Sequence, residues 1–446
     1  MPARRASLLL AAACAACSTT SPGARLSGTP PSLLHWAEAH GAYVARALAI
    51  APATAALPRR LVLTSPLASG TPLVTLPSSL QLGTDRADPA LLASAPTELW
   101  SARLGLALCA ELARGEASPF AEYISALPAA QPCGLAAEGA HLAAWPPAAR
   151  HAAAMRAAIR TVHARLVAAA REAAVEPPPL RLVRWASAIA GSRAYRVRGS
   201  RGAAHVDSAC LLPVIDLANY APHPRANAEL RNAPRTGPAA SDDPLAVTLY
   251  ACAPIDAGAE VCIDYGAGAV LSNERLLLEY GFVLPLDEHP HDTLELPFGA
   301  IAVGVAAVGA QKEAASEEEA LKLLLAQQRL LAQLGDVEAG GLVFDVQGSP
   351  ANGTFALALI LTARSEAELA RGSVSSLVAD MKGEGASSCH ARRARQALHA
   401  VASAALDELS SALGLDGHDG DDFAKAAYAY CLTRRKILQR IQVNMS

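Results

Sequence analysis

Apolar positions change their spacing several times along this chain, and the changes mark out its elements. Between about residues 30 and 82 they come in short bursts. Leu33 to Ala39 reads as a helix, and short strands follow, among them Arg60 to Thr64 and Thr71 to Pro77. From about Gly83 to Arg201 the pattern is helical and rich in alanine. Glu98 to Arg114 forms one amphipathic helix, a second runs from about Pro147 to Ala174 until Pro177-Pro178-Pro179 ends it, and a third covers Arg181 to Tyr195.

Between His205 and Leu284 the spacing shortens again. Leu211, Leu212, Val214, Ile215 and Leu217 form a nearly continuous apolar run broken by Pro213 and Asp216, as in a segment buried on both sides. Ala246 to Tyr250 reads as a strand, Pro254 to Gly258 as a turn, and Glu260 to Tyr265 alternates polar with apolar, so this stretch is expected to be a β-hairpin. Ser272 stands where it would cap a short helix through Leu276-Leu277-Leu278. Beyond Leu284, Asp292 to Leu296 reads as a last strand. Helices follow: a Ser316/Glu319 capping box opens Leu321 to Leu334, Gly335 stops it, and Ser365 to Arg371, His390 to Leu413 and Asp422 to Ile441 continue the pattern.

Polar residues at the ends of buried runs are where sites are built. Asp216 and Asn219 emerge from the apolar run, where a buried polar group without a partner costs about 1–3 kcal/mol. Taken alone, the pair reads as a turn cap and a partner for backbone groups near Pro222 and Pro224. Tyr265-Gly266-Ala267-Gly268 does not make a dinucleotide loop, because Leu271 occupies the third glycine position and no doubly wound pattern surrounds it. The acidic run Asp416 to Asp422 misses the calcium-loop spacing and reads as a solvated loop between helices.

Composition narrows the partners. A chain of 446 residues predicts two or three domains, and a hydrophobic fraction of 52% supports a core, although much of it is alanine. A net charge of −3 supplies no basic surface of the kind that drives nonspecific nucleic-acid binding, so a protein or small-molecule partner is expected. The nine cysteines are scattered, and the single CxxC is Cys14 with Cys17, which reads as reduced thiols without a zinc cluster or other metal site. Arg4 and Arg5, the short apolar run from Leu8 to Cys17 and the hydroxyl-rich Ser18 to Ser21 give residues 1–24 the proportions of a targeting presequence. An organelle is the expected destination, a plastid if the source is photosynthetic, and the cytoplasm otherwise. No other stretch reaches transmembrane length, so no membrane association is expected.

The ordered set Leu211-Leu212-Pro213-Val214-Ile215-Asp216-Leu217-Ala218-Asn219-Tyr220, Asn227-Ala228-Glu229-Leu230, Pro254 to Gly266 and Ser272 to Val283 resembles the SET domain of protein methyltransferases. More narrowly, it is similar to the branch typified by the Rubisco large-subunit methyltransferase and the actin-histidine methyltransferase. The resemblance implies an α+β fold. A SET β-fold of small sheets with a pseudoknot would occupy residues 30–285, split by a helical insert at about 83–201, and an all-α substrate-binding domain would occupy 286–446. It also implies S-adenosylmethionine as cofactor, methyl transfer to a lysine of a non-histone protein recognised by the C-terminal domain, and a monomer. A histidine acceptor, or a catalytically degenerate SET protein acting as a protein-binding module, remain the alternatives.

The resemblance assigns roles residue by residue. Tyr265, in the family's Tyr-Gly position, would orient the nucleophile. Asn219 would bind the cofactor and Asp216 would hold its segment. Arg193, within Gly191-Ser192-Arg193-Ala194-Tyr195, which resembles the family's Ser-Arg-Ala-Phe motif, would contact the cofactor from the insert. Tyr280 and Phe282 would shape the adenine pocket or the target channel. Two departures stand out. Tyr220 replaces the histidine of the family's Asn-His-Ser, and Pro58-Arg59-Arg60-Leu61 replaces Gly-x-Gly-Leu, where side chains are expected to resist the conformations that glycine permits. Arg59 or Arg60 would compensate by meeting the methionine carboxylate.

Overall fold

The computed structural model describes residues 33–54, 58–136, 139–172, 176–198, 207–234, 237–266, 271–309, 316–334, 341–369, 374–375, 389–413 and 421–446. The expected presequence, the stop at Gly335 and residues 414–420 of the acidic loop region lie outside them. The chain divides into two compact units, Met1–Ala137 with Ala152–Val270, and Glu138–His151 with Leu271–Ser446.

The first unit is built on small sheets. Its strands are β1 (Tyr43–Val44), β2 (Leu48–Ala51), β3 (Arg60–Leu63), β4 (Pro72–Leu76), β5 (Leu82–Gly83), β6 (Ala194–Arg198), β7 (Asp207–Leu211), β8 (Asn219–Tyr220), β9 (Ala228–Asn232), β10 (Val247–Ala251) and β11 (Cys262–Ile263). They pair in the orders β1-β4-β10-β9, β2-β3, β5-β7-β6 and β8-β11. In the largest sheet, Leu73, Val74 and Leu76 of β4 and Leu249 of β10 are fully buried. The hydroxyls of Thr75 and Thr248, opposite each other in the register, satisfy one another at 2.8 Å inside that core.

Two helices support these sheets. Trp100–Ala113 packs along Leu180–Arg193 at Gly105, where an added Cβ would meet the Ser187 backbone nitrogen at 2.8 Å. The helix expected through Tyr195 ends at Arg193, because Ala194 turns extended and opens β6, which pairs with β7. The helix expected near Pro147 to Ala174 runs Pro146–Glu172.

The hairpin expected between Ala246 and Tyr265 does not form. Both edges of β10 are occupied, by β4 and by β9, so β11 cannot pair with it. The connecting backbone instead runs along β3: Val261 N donates to Leu61 O at 2.9 Å, Leu63 N to Ala259 O at 3.1 Å and Gly258 N to Leu63 O at 2.7 Å. That path delivers β11 to β8, which it joins in parallel, with Cys262 opposite Asn219 and Ile263 opposite Tyr220. The apolar run likewise resolves into β7, which stops at Leu211, and a single 3-10 turn at Ile215–Leu217. Val214 between them adopts φ 71°, ψ −51°, close to a γ-turn and strained for a β-branched residue.

The second unit is mainly helical, with helices Ile301–Ala307, Glu317–Leu334, Asn352–Thr362, Cys389–Leu413 and Asp422–Met445. Ser316 Oγ accepts from Glu319 N at 3.2 Å and Ser272 Oγ from Arg275 N at 3.3 Å, the two caps that the sequence predicts. The expected strand is present as β12 (Thr293–Leu296), and it pairs antiparallel with β13 (Leu342–Asp345), a strand the periodicity did not reveal. Ser365 to Arg371, read as a helix, holds a 3-10 turn at Glu366–Leu369 among the described residues. No helix among the described residues is long and apolar enough to cross a membrane.

Candidate functional site

The strained turn at Val214 re-aims the chain so that the next residues present side chains inward. Asp216 is buried, and its Oδ2 accepts from Tyr123 Oη at 2.9 Å and from Arg193 Nη1 at 3.4 Å. Arg193 Nη1 also donates to the Asp216 carbonyl at 3.1 Å, so the last residue of its helix clamps the turn. Tyr195 Oη donates to the Ile215 carbonyl at 3.3 Å. Arg59 approaches the same carboxylate electrostatically while its Nη2 donates to Ala126 O at 2.7 Å.

Charge balance follows from that geometry. Burial pushes the Asp216 carboxyl above its ordinary pKa, opposed by Arg193, Tyr123 and Arg59. Burial and the neighbouring carboxylate drive the Tyr123 phenol well above its ordinary range, so it remains a donor. Burial works against the Arg193 charge, but Asp216, Tyr123 and Tyr265 more than offset it and raise its pKa. Burial lowers Arg59 in spite of Asp216. Two guanidinium groups therefore share one carboxylate, and the cluster carries a positive surplus.

The β8–β11 pair brings the rest of the site alongside. Asn227 locks the junction: its Oδ1 accepts from Cys262 N at 2.8 Å and its Nδ2 donates to Glu260 O at 2.8 Å. Asn219 Nδ2 donates to Glu260 Oε1 at 2.7 Å and lies 3.5 Å from the Arg59 carbonyl. Glu260 Oε2 stands 3.9 Å from Arg60 Nε. One residue back from Asn219, the Ala218 carbonyl accepts from Tyr265 Oη at 3.2 Å. The Tyr265 ring lies 5.3 Å from that of Tyr220, tilted by 51°. Burial, then the charge of Asp264, raises the Tyr220 phenol.

Arg193, Asp216, Asn219, Tyr220 and Tyr265 are thus brought together in the first unit. Tyr280 and Phe282 belong to the second, where their rings lie 6.3 Å apart across Gly281, a left-handed cap at φ 83° that closes the π-helical turn Leu276–Tyr280. At the two missing glycines, Pro58 and Arg60, φ is not positive, so ordinary residues fit that backbone.

Sequence reasoning missed Tyr123, Glu260 and Asn227. Tyr123 lies in the short helix Ala121–Ala126, and nothing in the sequence there marks its phenol as the partner of Asp216. Glu260 offered no signal beyond its place in an alternating strand.

Several buried polar atoms of this cluster have no partner within the described residues: Arg193 Nε, Arg60 Nη1 and Asp216 Oδ1. Unsatisfied donors beside a positive surplus suit a ligand that carries a carboxylate. Among the described residues no group of His, Cys, Asp and Glu could hold a metal ion.

No protein-family model and no curated protein sequence matches the chain. Its structure is nevertheless similar to solved structures. The SET domain of LSMT bound to lysine and AdoHcy superposes with a TM-score of 0.60 at 15% identity, covering 93% of this chain and 90% of that one. Rubisco LSMT bound to AdoMet gives 0.60 at 16% identity, covering 94% and 92%. Rubisco LSMT bound to sinefungin and monomethyllysine gives 0.58 at 16% identity, again covering 94% and 92%. The chain therefore has the SET fold of the Rubisco LSMT structures, and its second unit is mainly helical.

Proposed function

We propose that this chain is an S-adenosylmethionine-dependent protein methyltransferase acting on a lysine side chain of a non-histone protein. The observation that carries the reading is the placement of Tyr265 against the Ala218 carbonyl and the Tyr220 ring, one residue from Asn219 and electrostatically coupled to Arg193. Its support is the likeness of the whole fold to Rubisco LSMT structures bound to AdoMet, AdoHcy, lysine and monomethyllysine.

Arg193 and Asn219 would hold the cofactor, with Arg59 adding positive charge, Asp216 fixing Arg193, and Tyr220 lining the pocket. The helices of the second unit, to which Tyr280 and Phe282 belong, would recognise the protein substrate. When bound, S-adenosylmethionine supplies an electrophilic methyl group. Tyr265 donates its proton to the Ala218 carbonyl, so toward an incoming amine its phenol oxygen would act as an acceptor of an N–H and so aim the nitrogen lone pair. A lysine with a free pKa near 10.4 requires about 4–5 kcal/mol to be neutral at pH 7. The apolar tyrosine ring faces and the positive surplus around Arg193 both disfavour the ammonium form. A histidine acceptor needs no such help, and its use is distinguished by the product.

The test is calorimetric titration of the full chain with S-adenosylmethionine, followed by transfer of labelled methyl to protein extracts. Binding is expected in the micromolar range, to weaken at least about tenfold in Asn219→Ala as a polar anchor is lost, and to persist in Tyr265→Phe. That second variant is expected to lose at least about 10²-fold in transfer. A folded chain that binds no cofactor would overturn the reading in favour of a protein-binding module.

A further inference from the structure

The amino-acid end of S-adenosylmethionine carries two opposite charges, and the site has a residue for each. We propose that Glu260 receives the cofactor's α-ammonium, so that the ligand's amino-acid end is clamped between Glu260 and Arg193. This inference rests on the methyltransferase reading and extends it to a residue that the sequence motifs do not mark.

The Glu260 side chain is 30% exposed, so a ligand can reach it, yet its backbone is held on both faces. Its carbonyl accepts from Asn227 Nδ2, and Glu260 bridges to Val62 of β3. A carboxylate can accept about four hydrogen bonds. Here Oε1 takes one, from Asn219 at 2.7 Å, and Oε2 stands 3.9 Å from Arg60 Nε, too far for a hydrogen bond. The anion is therefore rigid, accessible and undersatisfied. At the opposite pole, Arg193 directs Nη1 at Asp216 while its Nε is unpartnered. Asp216, in the 3-10 turn, and Asn219, which opens β8, touch the two poles and are three residues apart, so a single short segment spaces the charges. A purely structural role, in which Glu260 only holds Asn219 and balances Arg60, makes a different prediction. Glutamine keeps an oxygen that can accept from Asn219, removes the charge and puts an amide donor in place of the second oxygen.

Calorimetric binding to the full chain separates the two with three ligands: S-adenosylmethionine, its decarboxylated analogue, which keeps the ammonium, and 5′-methylthioadenosine, which lacks the amino-acid end altogether. Glu260→Gln is expected to weaken the first two by about 10- to 100-fold, the range for a hydrogen bond to a charged group, and to leave the third unchanged. Glu260→Asp, which restores the charge, is expected to recover part of the loss. Unchanged binding of all three to Glu260→Gln, or equal weakening of all three, would overturn the role of Glu260 while leaving the methyltransferase reading intact. Failure of the unaltered chain to bind any of the three would overturn both.

Discussion

Tyr123 shows how much a single hydroxyl does at this site. It is fully buried, and its one described hydrogen bond, 2.9 Å to Asp216, holds an acid that has another oxygen without a partner. Tyr123→Phe is expected to cost about 1–3 kcal/mol in urea unfolding, the range for losing a hydrogen bond to a buried charged group, with the longer bond from Arg193 remaining on the same oxygen. Because the released carboxylate also loosens Arg193, cofactor affinity should fall in the same variant, and a loss of stability without any loss of affinity would separate Asp216 from the site. A second residue-scale prediction concerns pH. In the second unit, His151 Nδ1 lies 3.4 Å from Glu274, which also accepts from Tyr430 Oη at 2.9 Å. The hydrogen bond to Glu274, aided by the charges of Glu274 and Glu279 and opposed by burial, raises His151 above its ordinary pKa. Burial pushes Glu274 up, but His151, Tyr430 and Arg434 together hold it below its ordinary value. The histidine's contribution is therefore complete below its unfolded pKa of about 6.5 and fades as pH rises through the raised folded value. The carboxylate's contribution is present above its unfolded pKa of about 4.3 and is lost as pH falls through the depressed folded value. The stability difference between the parent and His151→Gln should peak near pH 5.5 and shrink by pH 8.5. With the histidine side chain 59% exposed, it should stay within about 1 kcal/mol. A melting-temperature difference that is flat across this range would contradict the assignment.

At the scale of elements, legibility in the sequence depended on whether the partner was near or far along the chain. Leu33–Ala39 and the caps at Ser272 and Ser316 were readable because their determinants lie within a turn or two. Period-2 alternation located the strand at Val247 and the polar end at Tyr265, yet it could not choose their neighbours. A strand pattern says which face is buried and is silent on which edge is taken, so β11 was assigned to β10 when β8 claims it. The same limit hid Glu260 and Asn227, whose meaning arises when that crossing brings them to Asn219 and Cys262. Asp216, Asn219, Arg193 and Tyr265 were singled out by the family resemblance, because position alone gave Asp216 and Asn219 no more than a turn-capping reading. Helix packing supplies a prediction with a decisive sign. Gly105→Ala in an ordinary helix interior is stabilising by about 1 kcal/mol. Here the new methyl would press on the Ser187 and Ala186 backbone at 2.8 and 2.9 Å, and overpacking of this kind costs about 1–3 kcal/mol. Chemical denaturation of Gly105→Ala should show net destabilisation. Any gain in stability would mean that the Trp100–Ala113 and Leu180–Arg193 helices can part without penalty.

At the scale of the whole molecule, a chain that no family model matches shares its fold with structures only 15–16% identical to it. A fold tolerates such divergence where buried positions stay apolar and buried polar groups keep partners, because an unpaired buried polar group is costly. The second unit contains a case that can be measured. Asp292 and Arg434 are at most 1% exposed. Asn273 donates to the two Asp292 oxygens from its backbone and side chain, each at 2.9 Å, and the Arg434 guanidinium bonds Asp292 and the Thr293 carbonyl while lying 4.7 Å over the Tyr430 ring. This network ties the entry of the unit at Asn273, the strand β12 and the closing helix Asp422–Met445 into one body. Removing one member of a buried ion pair leaves the other charge stranded, so Arg434→Ala should cost about 3–5 kcal/mol in urea unfolding. Neutralising the acid first removes the stranded charge. In an Asp292→Asn background, the same Arg434→Ala step should therefore cost substantially less, and the two substitutions should be far from additive. Additive losses would mean that Arg434 contributes by packing on Tyr430 alone and that the ion pair does not hold the unit together.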